Sequence, residues 1–302
     1  MYAITGITGK VGGATARALL EAGKSVRAVV RDAGKGAAWM GRGCAVAQAD
    51  ITDAAALTRA LRNVDGTFLM MPPLYDPAPG FPTVYATIAA MRTAIEATRP
   101  GKIVVLSTIG AQVTEPNLLN ALTILEDGLC DVSVPIAFLR AAWFMENAAW
   151  DVDAARLGTI PSYLQPLDHA IPMVATDDVG RVVAELLCDS WNGVRIVELE
   201  GPRRYTANDI GAAFARSLGH AVTMNAVARE TWETSFRAQG TQYPEPRMRM
   251  LDGFNEGWID FEGSEDEISK GSTSLEAVID RLVGPSAQRA LTIRQPFHTE
   301  RA

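Results

Sequence analysis

A run of glycines near the N-terminus carries the first chemical signal. Thr5-Gly6-Ile7-Thr8-Gly9-Lys10-Val11-Gly12-Gly13 follows a short apolar run, Tyr2 to Thr5, and leads into Val11, Ala14, Ala18, Leu19 and Ala22 at helical spacing. Between a strand and a helix, Gly6 can make the tight turn, Gly9 can let backbone approach a pyrophosphate, and Gly12 can let helix and strand pack closely. The helix N-terminus then offers free N–H groups and a partial positive charge to the phosphates. The plainer alternative is a glycine-rich turn with no ligand. Its place between strand and helix favours a dinucleotide.

The end of the second predicted strand, Val26 to Val30, discriminates between two dinucleotides. An acid there pairs with the ribose hydroxyls of NAD, whereas an arginine suits the 2′-phosphate of NADP. This chain offers Arg31 and then Asp32. Arg31 comes first, and Lys35 is close enough to assist, so NADP(H) is the expected cofactor and NAD(H) the alternative. Asp50, ending the third strand, is placed to accept a hydrogen bond from the adenine amine, because Thr52 or Asp53 is better placed to cap the next helix. Met70, Met71, Pro72 and Pro73 end the fourth strand, where the cofactor crosses the sheet edge. Met71 and Pro72 are expected contacts by position alone.

A parallel sheet is needed to bring these positions together. The first half alternates short β-rich runs with helix-period segments, the pattern of parallel strands joined by covering helices. Further strands are predicted at Ala45 to Ala49, Gly66 to Met71, Lys102 to Ser107 and Val134 to Leu139. Helices are predicted from Asp53 to Arg62 and from Thr83 to Thr98, the latter after a rigid proline-rich loop, Pro72 to Pro82. Beyond about residue 150 the rhythm weakens. Arg195 to Leu199 is still long enough to rejoin the sheet, between helices at Asp178 to Cys188 and Ala207 to Leu218. The expected architecture is α/β, a Rossmann-type doubly wound parallel sheet with a smaller C-terminal α/β lid. Residues 1–150 would form the NAD(P)-binding domain, with about 177–219 also packing on it; 151–176 and 220–302 would form the lid. The acidic stretch Glu262 to Ser274 is expected to be a mobile loop.

Composition narrows the partners. An apolar share of 48% over 302 residues is enough for a sizeable core. A net charge of −7 with no basic run argues against nucleic acid or an anionic membrane as partner. Cys44, Cys130 and Cys188 are far apart, show no disulfide framework and suit a reducing compartment. His169, His220 and His298 are equally scattered, so no metal is expected. No apolar stretch is long enough to span a membrane and no secretion signal opens the chain, so the expected location is the cytoplasm.

Six segments taken together resemble one known group. They are Ile4 to Gly12, Val26 to Asp32, Val105 to Ala111, Phe138 to Asn147, Val174 to Gly180 and Glu198 to Pro202. In combination the chain is similar to the NmrA-like family of atypical short-chain dehydrogenases/reductases, from its start to about residue 220 and more loosely to Phe261. The resemblance implies NADP(H) binding, and either reduction of quinones and other small electrophiles or redox sensing without turnover. It places Thr8, Gly9, Lys10 and Val11 on the pyrophosphate and Arg31 on the 2′-phosphate. Asp50 and Ile51 fall by the adenine, and the strand end from Ala142 to Phe144 near the nicotinamide.

Ordinary short-chain dehydrogenases use a tyrosine with a lysine four residues on. The lysine lowers the tyrosine pKa, and the tyrosine gives a proton to the forming alkoxide. Tyr2, Tyr75, Tyr85, Tyr163, Tyr205 and Tyr243 are followed at that spacing by Gly6, Pro79, Ala89, Leu167, Asp209 and Arg247. None is lysine. Reducing a plain ketone would then leave a strongly basic alkoxide in a dry pocket. Hydride addition to a quinone leaves a delocalised, weakly basic anion that water can protonate, so positioning over the nicotinamide suffices.

The remaining catalytic candidates are Ser107, which could bond a substrate oxygen or act as a local cap, and Asn147, which could orient a carbonyl or make a helix-start hydrogen bond. Tyr75, Trp143, Phe144 and Trp150 could wall a flat acceptor or belong to the core. Asp177-Asp178 is read as a helix cap. The expectation is an NADPH-dependent reductase of quinone-like or similarly activated small molecules, acting as monomer or homodimer. The alternative is an NADP(H)-binding redox sensor, in which case a protein partner enters. An epimerase of nucleotide sugars is disfavoured by the missing tyrosine–lysine pair.

Overall fold

The computed structural model describes residues 1–284. In chain order its strands are β1 (Tyr2–Ile4), β2 (Val26–Val30), β3 (Ala45–Gln48), β4 (Gly66–Leu69), β5 (Ile103–Thr108), β6 (Ile136–Ala141), β7 (Trp143–Phe144), β8 (Thr159–Ser162), β9 (Met173–Val174), β10 (Val194–Glu200), β11 (Thr223–Ala226) and β12 (Ser269–Lys270). The helices are α1 (Lys10–Glu21), α2 (Ala37–Met40), α3 (Ala54–Ala60), α4 (Pro82–Thr98), α5 (Asn120–Leu129), α6 (Val152–Arg156), α7 (Thr176–Cys188), α8 (Ala207–Leu218), α9 (Trp232–Ala238), α10 (Pro244–Glu256) and α11 (Leu275–Val283).

Eight strands form one sheet in the order β12-β10-β6-β5-β4-β1-β2-β3, with every pairing parallel. The order reverses between β1 and β4, the switch point at which open α/β sheets bind ligands. Alternation along the strands builds two cores. Ile4, Ala28, Phe68, Val104 and Leu139 face α1 and α7 on one side. Ala3, Val29, Leu69, Val105 and Phe138 face α3, α4 and α5 on the other. The sheet is therefore doubly wound, as the sequence led us to expect.

Helices α1 and α7 approach unusually closely because α7 presents a glycine. A Cβ at Gly180 would lie 2.4 Å from the Ala14 Cβ and 2.6 Å from the Thr15 backbone nitrogen. That contact keeps the helix leaving the glycine loop flat against the sheet.

Above the carboxyl ends of the strands sits a second assembly. The two-stranded parallel pairs β8–β11 and β7–β9 belong to it, so the lid segments do carry parallel order that their sequences hide. Helix α8 departs from expectation. Its buried residues Ala207, Ile210, Ala213 and Phe214 pack with Met145, Ile160, Leu275 and Ile279 in the lid core and not on the main sheet. The stretch from Glu262 to Ser274, expected to be mobile, is instead tied down. It supplies β12, and its acids find fixed donors: Glu267 accepts from the Ser264 N–H and hydroxyl, and Glu262 pairs with Arg140 at 3.1 Å. Acidity there marks ion pairing and backbone capping.

Candidate functional site

The glycine loop is built as the spacing demands. Gly6 has φ +61°, a left-handed conformation costly for any side chain, and the Gly9 N–H closes the turn on the Gly6 carbonyl at 2.8 Å. Gly9 is the N-cap of α1 in extended conformation; no side chain caps the helix and its first turn holds no acid. The N-terminal amides and the positive end of the dipole are therefore left for an anion. A Cβ at Gly12 would meet the Gly6 carbonyl oxygen at 2.4 Å and the Thr5 oxygen at 2.7 Å, so only glycine permits this strand-to-helix approach. The cradle fits a dinucleotide pyrophosphate.

Thr8, Gly9 and Lys10 are exposed at the loop, while the Val11 side chain is buried in the core and can offer only its backbone. Lys10 Nζ donates to the Glu146 carbonyl at 3.2 Å, which ties the helix start to the lid. Met70, not Met71, lies against the loop. Its sulfur would be 2.4 Å from a Cβ at Gly6, whereas Met71 turns to the opposite core, as strand alternation requires, and Pro72 is exposed.

Arg31 lies exposed at the end of β2, and among the described residues its guanidinium makes no hydrogen bond; its carbonyl accepts from Gln48 Nε2 at 3.0 Å. Asp32 turns back and accepts the Gly34 N–H at 2.9 Å, capping the turn at Ala33–Gly36. Asp53 caps α3 through the Ala56 N–H. Asp50 spends one oxygen on the Thr52 N–H at 2.9 Å and the Thr52 hydroxyl at 2.7 Å. These bonds hold its carboxyl below the usual value, against slight burial and with help from Arg31. Ile51 is buried beneath it in the core.

Ser107 and Asn147 part company. Ser107 is buried at the end of β5 and donates its hydroxyl inward to Glu126, which faces it from α5. Glu126 in turn grips Arg140 of β6, at 3.1 Å to Nε and 2.8 Å to a terminal nitrogen. Arg140 also meets Glu262 at 3.1 Å and Glu198 at 3.7 Å. Burial, which would lower the Arg140 pKa, is outweighed by these carboxylates, Glu126 first, and the value ends above ordinary arginine. Asn147 is half-buried in the 3-10 turn Met145–Trp150, and its carboxamide makes no hydrogen bond with any described residue. The helix-start bond considered for it is not made.

The aromatic residues also separate. Tyr75 and Trp150, both exposed, meet edge to face at 6.1 Å between ring centroids. Trp143 instead packs edge to face on Phe254 at 5.2 Å within the lid, and Phe144 packs on the main core. Asp177 and Asp178 do not cap α7. That role falls to the buried Glu146, which accepts the Thr176 N–H and hydroxyl, while the fully buried Asp178 holds Thr273. No group of histidine, cysteine or acidic residues able to hold a metal occurs among the described residues, and His298 lies outside them. No helix is long and apolar enough to cross a membrane.

Asp151, next to Trp150, is half-buried and accepts no side-chain hydrogen bond among the described residues; burial pushes its pKa up to about 6. An unfolded aspartate titrates near 3.9, so between about pH 4 and pH 6 the folded protein holds an extra proton. Stability therefore falls as pH rises through that window and stays lower above it. Asp151→Asn should raise the unfolding free energy at pH 8 by about 2 kcal/mol and leave it little changed at pH 4. Denaturant melts at the two pH values check this; an equal shift at both would refute it.

These geometries meet known proteins in the comparisons. The sequence profile of a family described as NAD(P)H-binding matches residues 6–190. A reductase of (4-alkanoyl-5-oxo-2,5-dihydrofuran-3-yl)methyl phosphate from Streptomyces griseus is 29% identical over 251 residues, covering 82% of this chain and 83% of that protein. Quinone oxidoreductase 2 of Escherichia coli is 24% identical, covering 80% and 82%. Its fold, solved with NADPH, superposes with a TM-score of 0.78 over 94% of this chain and 100% of that one. Triphenylmethane reductase from a Citrobacter species, 18% identical, gives a TM-score of 0.78 over 93% and 99%. With the glycine loop lying inside the matched segment, the chain belongs to the NAD(P)H-binding family.

Proposed function

We propose that this protein is an NADPH-dependent reductase of quinone-like or similarly conjugated small electrophiles. The observation that carries the reading is the uncapped N-terminus of α1, with Arg31 exposed beyond it and Asp32 turned away into its own cap. Gly9 and its neighbours bind the pyrophosphate, Arg31 the 2′-phosphate, and Asp50 and Ile51 border the adenine. The bound NADPH supplies a hydride. This chain's part is to orient the acceptor and exclude water, with Tyr75 and Trp150 as the exposed aromatic edge and Asn147, in the same turn as Trp150, as a polar candidate. Similarity to a quinone oxidoreductase and to a reductase of a dihydrofuranone supports a conjugated acceptor. The anion left by hydride addition to such an acceptor is delocalised, which agrees with a chain lacking a tyrosine–lysine proton donor.

Stopped-flow loss of NADPH absorbance across a panel of quinones and unsaturated lactones tests the reading. Turnover is expected with at least one acceptor, with NADPH favoured over NADH. Arg31→Ala should reduce that preference by about tenfold, the loss of one charge-assisted phosphate contact. No acceleration over buffer for any acceptor would overturn the enzyme reading, and different affinities for NADP⁺ and NADPH without turnover would point to a sensor.

A further inference from the structure

Arg247, near the start of α10, is a half-buried cation that donates no hydrogen bond and forms no ion pair among the described residues. The side chains of Arg31, Arg42, Arg59, Arg62 and Arg99 also donate no hydrogen bond there, but all five are exposed. Arg247 is less exposed than these. Its guanidinium lies over the Phe236 ring at 4.3 Å, and Phe236 stacks against Tyr163 at 5.0 Å. A ring face repays only part of the hydration a cation loses on burial and uses none of its N–H groups. Burial accordingly pulls the Arg247 pKa below the ordinary arginine value, with Tyr163 and Tyr75 the titratable groups that face it.

Tyr75, which faces Arg247 and meets Trp150, links it to the exposed aromatic edge. Asp76 accepts the Gln242 and Tyr243 N–H groups at 2.8 and 2.7 Å, which fastens the loop after β4 to the start of α10. The residue before it is Tyr75, whose ring meets Trp150. The same loop begins at Met70, against Gly6. Both Asp76 oxygens accept backbone N–H groups, and Asp76 forms no ion pair with Arg247.

A guanidinium fork matches a carboxylate, sulfonate or phosphate in a two-pronged arrangement, and such pairs are among the strongest polar contacts when shielded from water. We propose that Arg247 receives an oxyanion carried by the reducible substrate, whose flat conjugated part lies along Tyr75 and Trp150. The substrate class is therefore an anionic electrophile, and Arg247 is a specificity-determining residue. This rests on the reductase reading above.

The test compares 1,4-naphthoquinone with its 2-sulfonate as acceptors for the full chain, together with Arg247→Gln and Arg247→Lys. The wild type should favour the sulfonate, and the glutamine variant should lower the ratio of kcat/KM for sulfonated over neutral acceptor by about tenfold or more; lysine, keeping charge without the fork, should fall between. Equal losses on both acceptors, or an unchanged ratio, would overturn the subsite. Titration of the NADP⁺-loaded protein with naphthalene-2-sulfonate, followed by calorimetry, reads the subsite without turnover. Arg247-dependent binding in a protein that reduces neither quinone would sink the reductase reading and keep the anion site. Binding indifferent to Arg247, or no binding by the wild type, would sink the anion site.

Discussion

A valine at Gly9 should weaken dinucleotide binding strongly while leaving the fold intact, whereas an alanine at Gly12 should damage both. The difference lies in what each new Cβ meets. At Gly9 the nearest atom is the Gly6 carbonyl oxygen at 3.1 Å, a contact relieved by a shift of a few tenths of an ångström. A valine there projects into the space before the α1 amides, where the phosphates belong. NADPH affinity should fall by about tenfold or more, with little change in Tm. At Gly12 three backbone atoms lie within 2.7 Å, so β1 and α1 must separate. Overpacking of this kind costs about 1–3 kcal/mol or more, which lowers Tm by about 5 °C as well as affinity. Calorimetric titration with NADPH and thermal melts on both variants check the pair. A Gly9 variant that binds normally would refute the placement of the cofactor.

The second large effect belongs to the ion network beneath Ser107. Arg140→Met should destabilise the protein by about 3–5 kcal/mol, because it strands Glu126 and Glu198 in the interior without their counter-charge. In a chain of this size that corresponds to a Tm loss of about 10 °C. Adding Glu126→Gln to the same chain should recover part of the loss, since a neutral amide tolerates burial better than an unpaired carboxylate. Denaturant unfolding of the two single variants and the double variant gives the coupling directly. Additive losses would show that Glu126 and Arg140 do not act as a pair. The network also holds the Ser107 hydroxyl inward, so Ser107→Ala should affect stability more than turnover.

Much of the sheet was legible because each strand meets its helix with a change of period. The runs from Tyr2, Val26 and Ile103 are β-rich and bounded by glycine or proline, and the structure moves their ends by only a residue or so. The three glycines were legible because one strand-to-helix turn holds them together, and Arg31 because it directly follows the second strand. The Glu126–Arg140 pair was not: its partners lie on α5 and β6, and neither a helix period nor strand alternation marks an ion pair between them. The cluster of Tyr75, Tyr163, Phe236 and Arg247 is assembled from four separate segments, so no local spacing announces it. β12 is too short to show alternation, and its acidic surroundings imitate a solvated loop. The buried Asp178 has the same history: it was read as a helix cap, and only the packing around α7 showed that Glu146 caps the helix while Asp178 holds Thr273.

The last strand to join the sheet has a temporal consequence. β10 forms its outer pairing only with residues 269–270, some seventy positions further along the chain, and the lid is strung between them. While a ribosome is still making that stretch, the outer rim of a nearly finished sheet stays open to any extended segment nearby. Newly made chains should therefore be more prone to pair edge to edge until Ser269 and Lys270 have emerged and covered the Leu199–Glu200 end of β10.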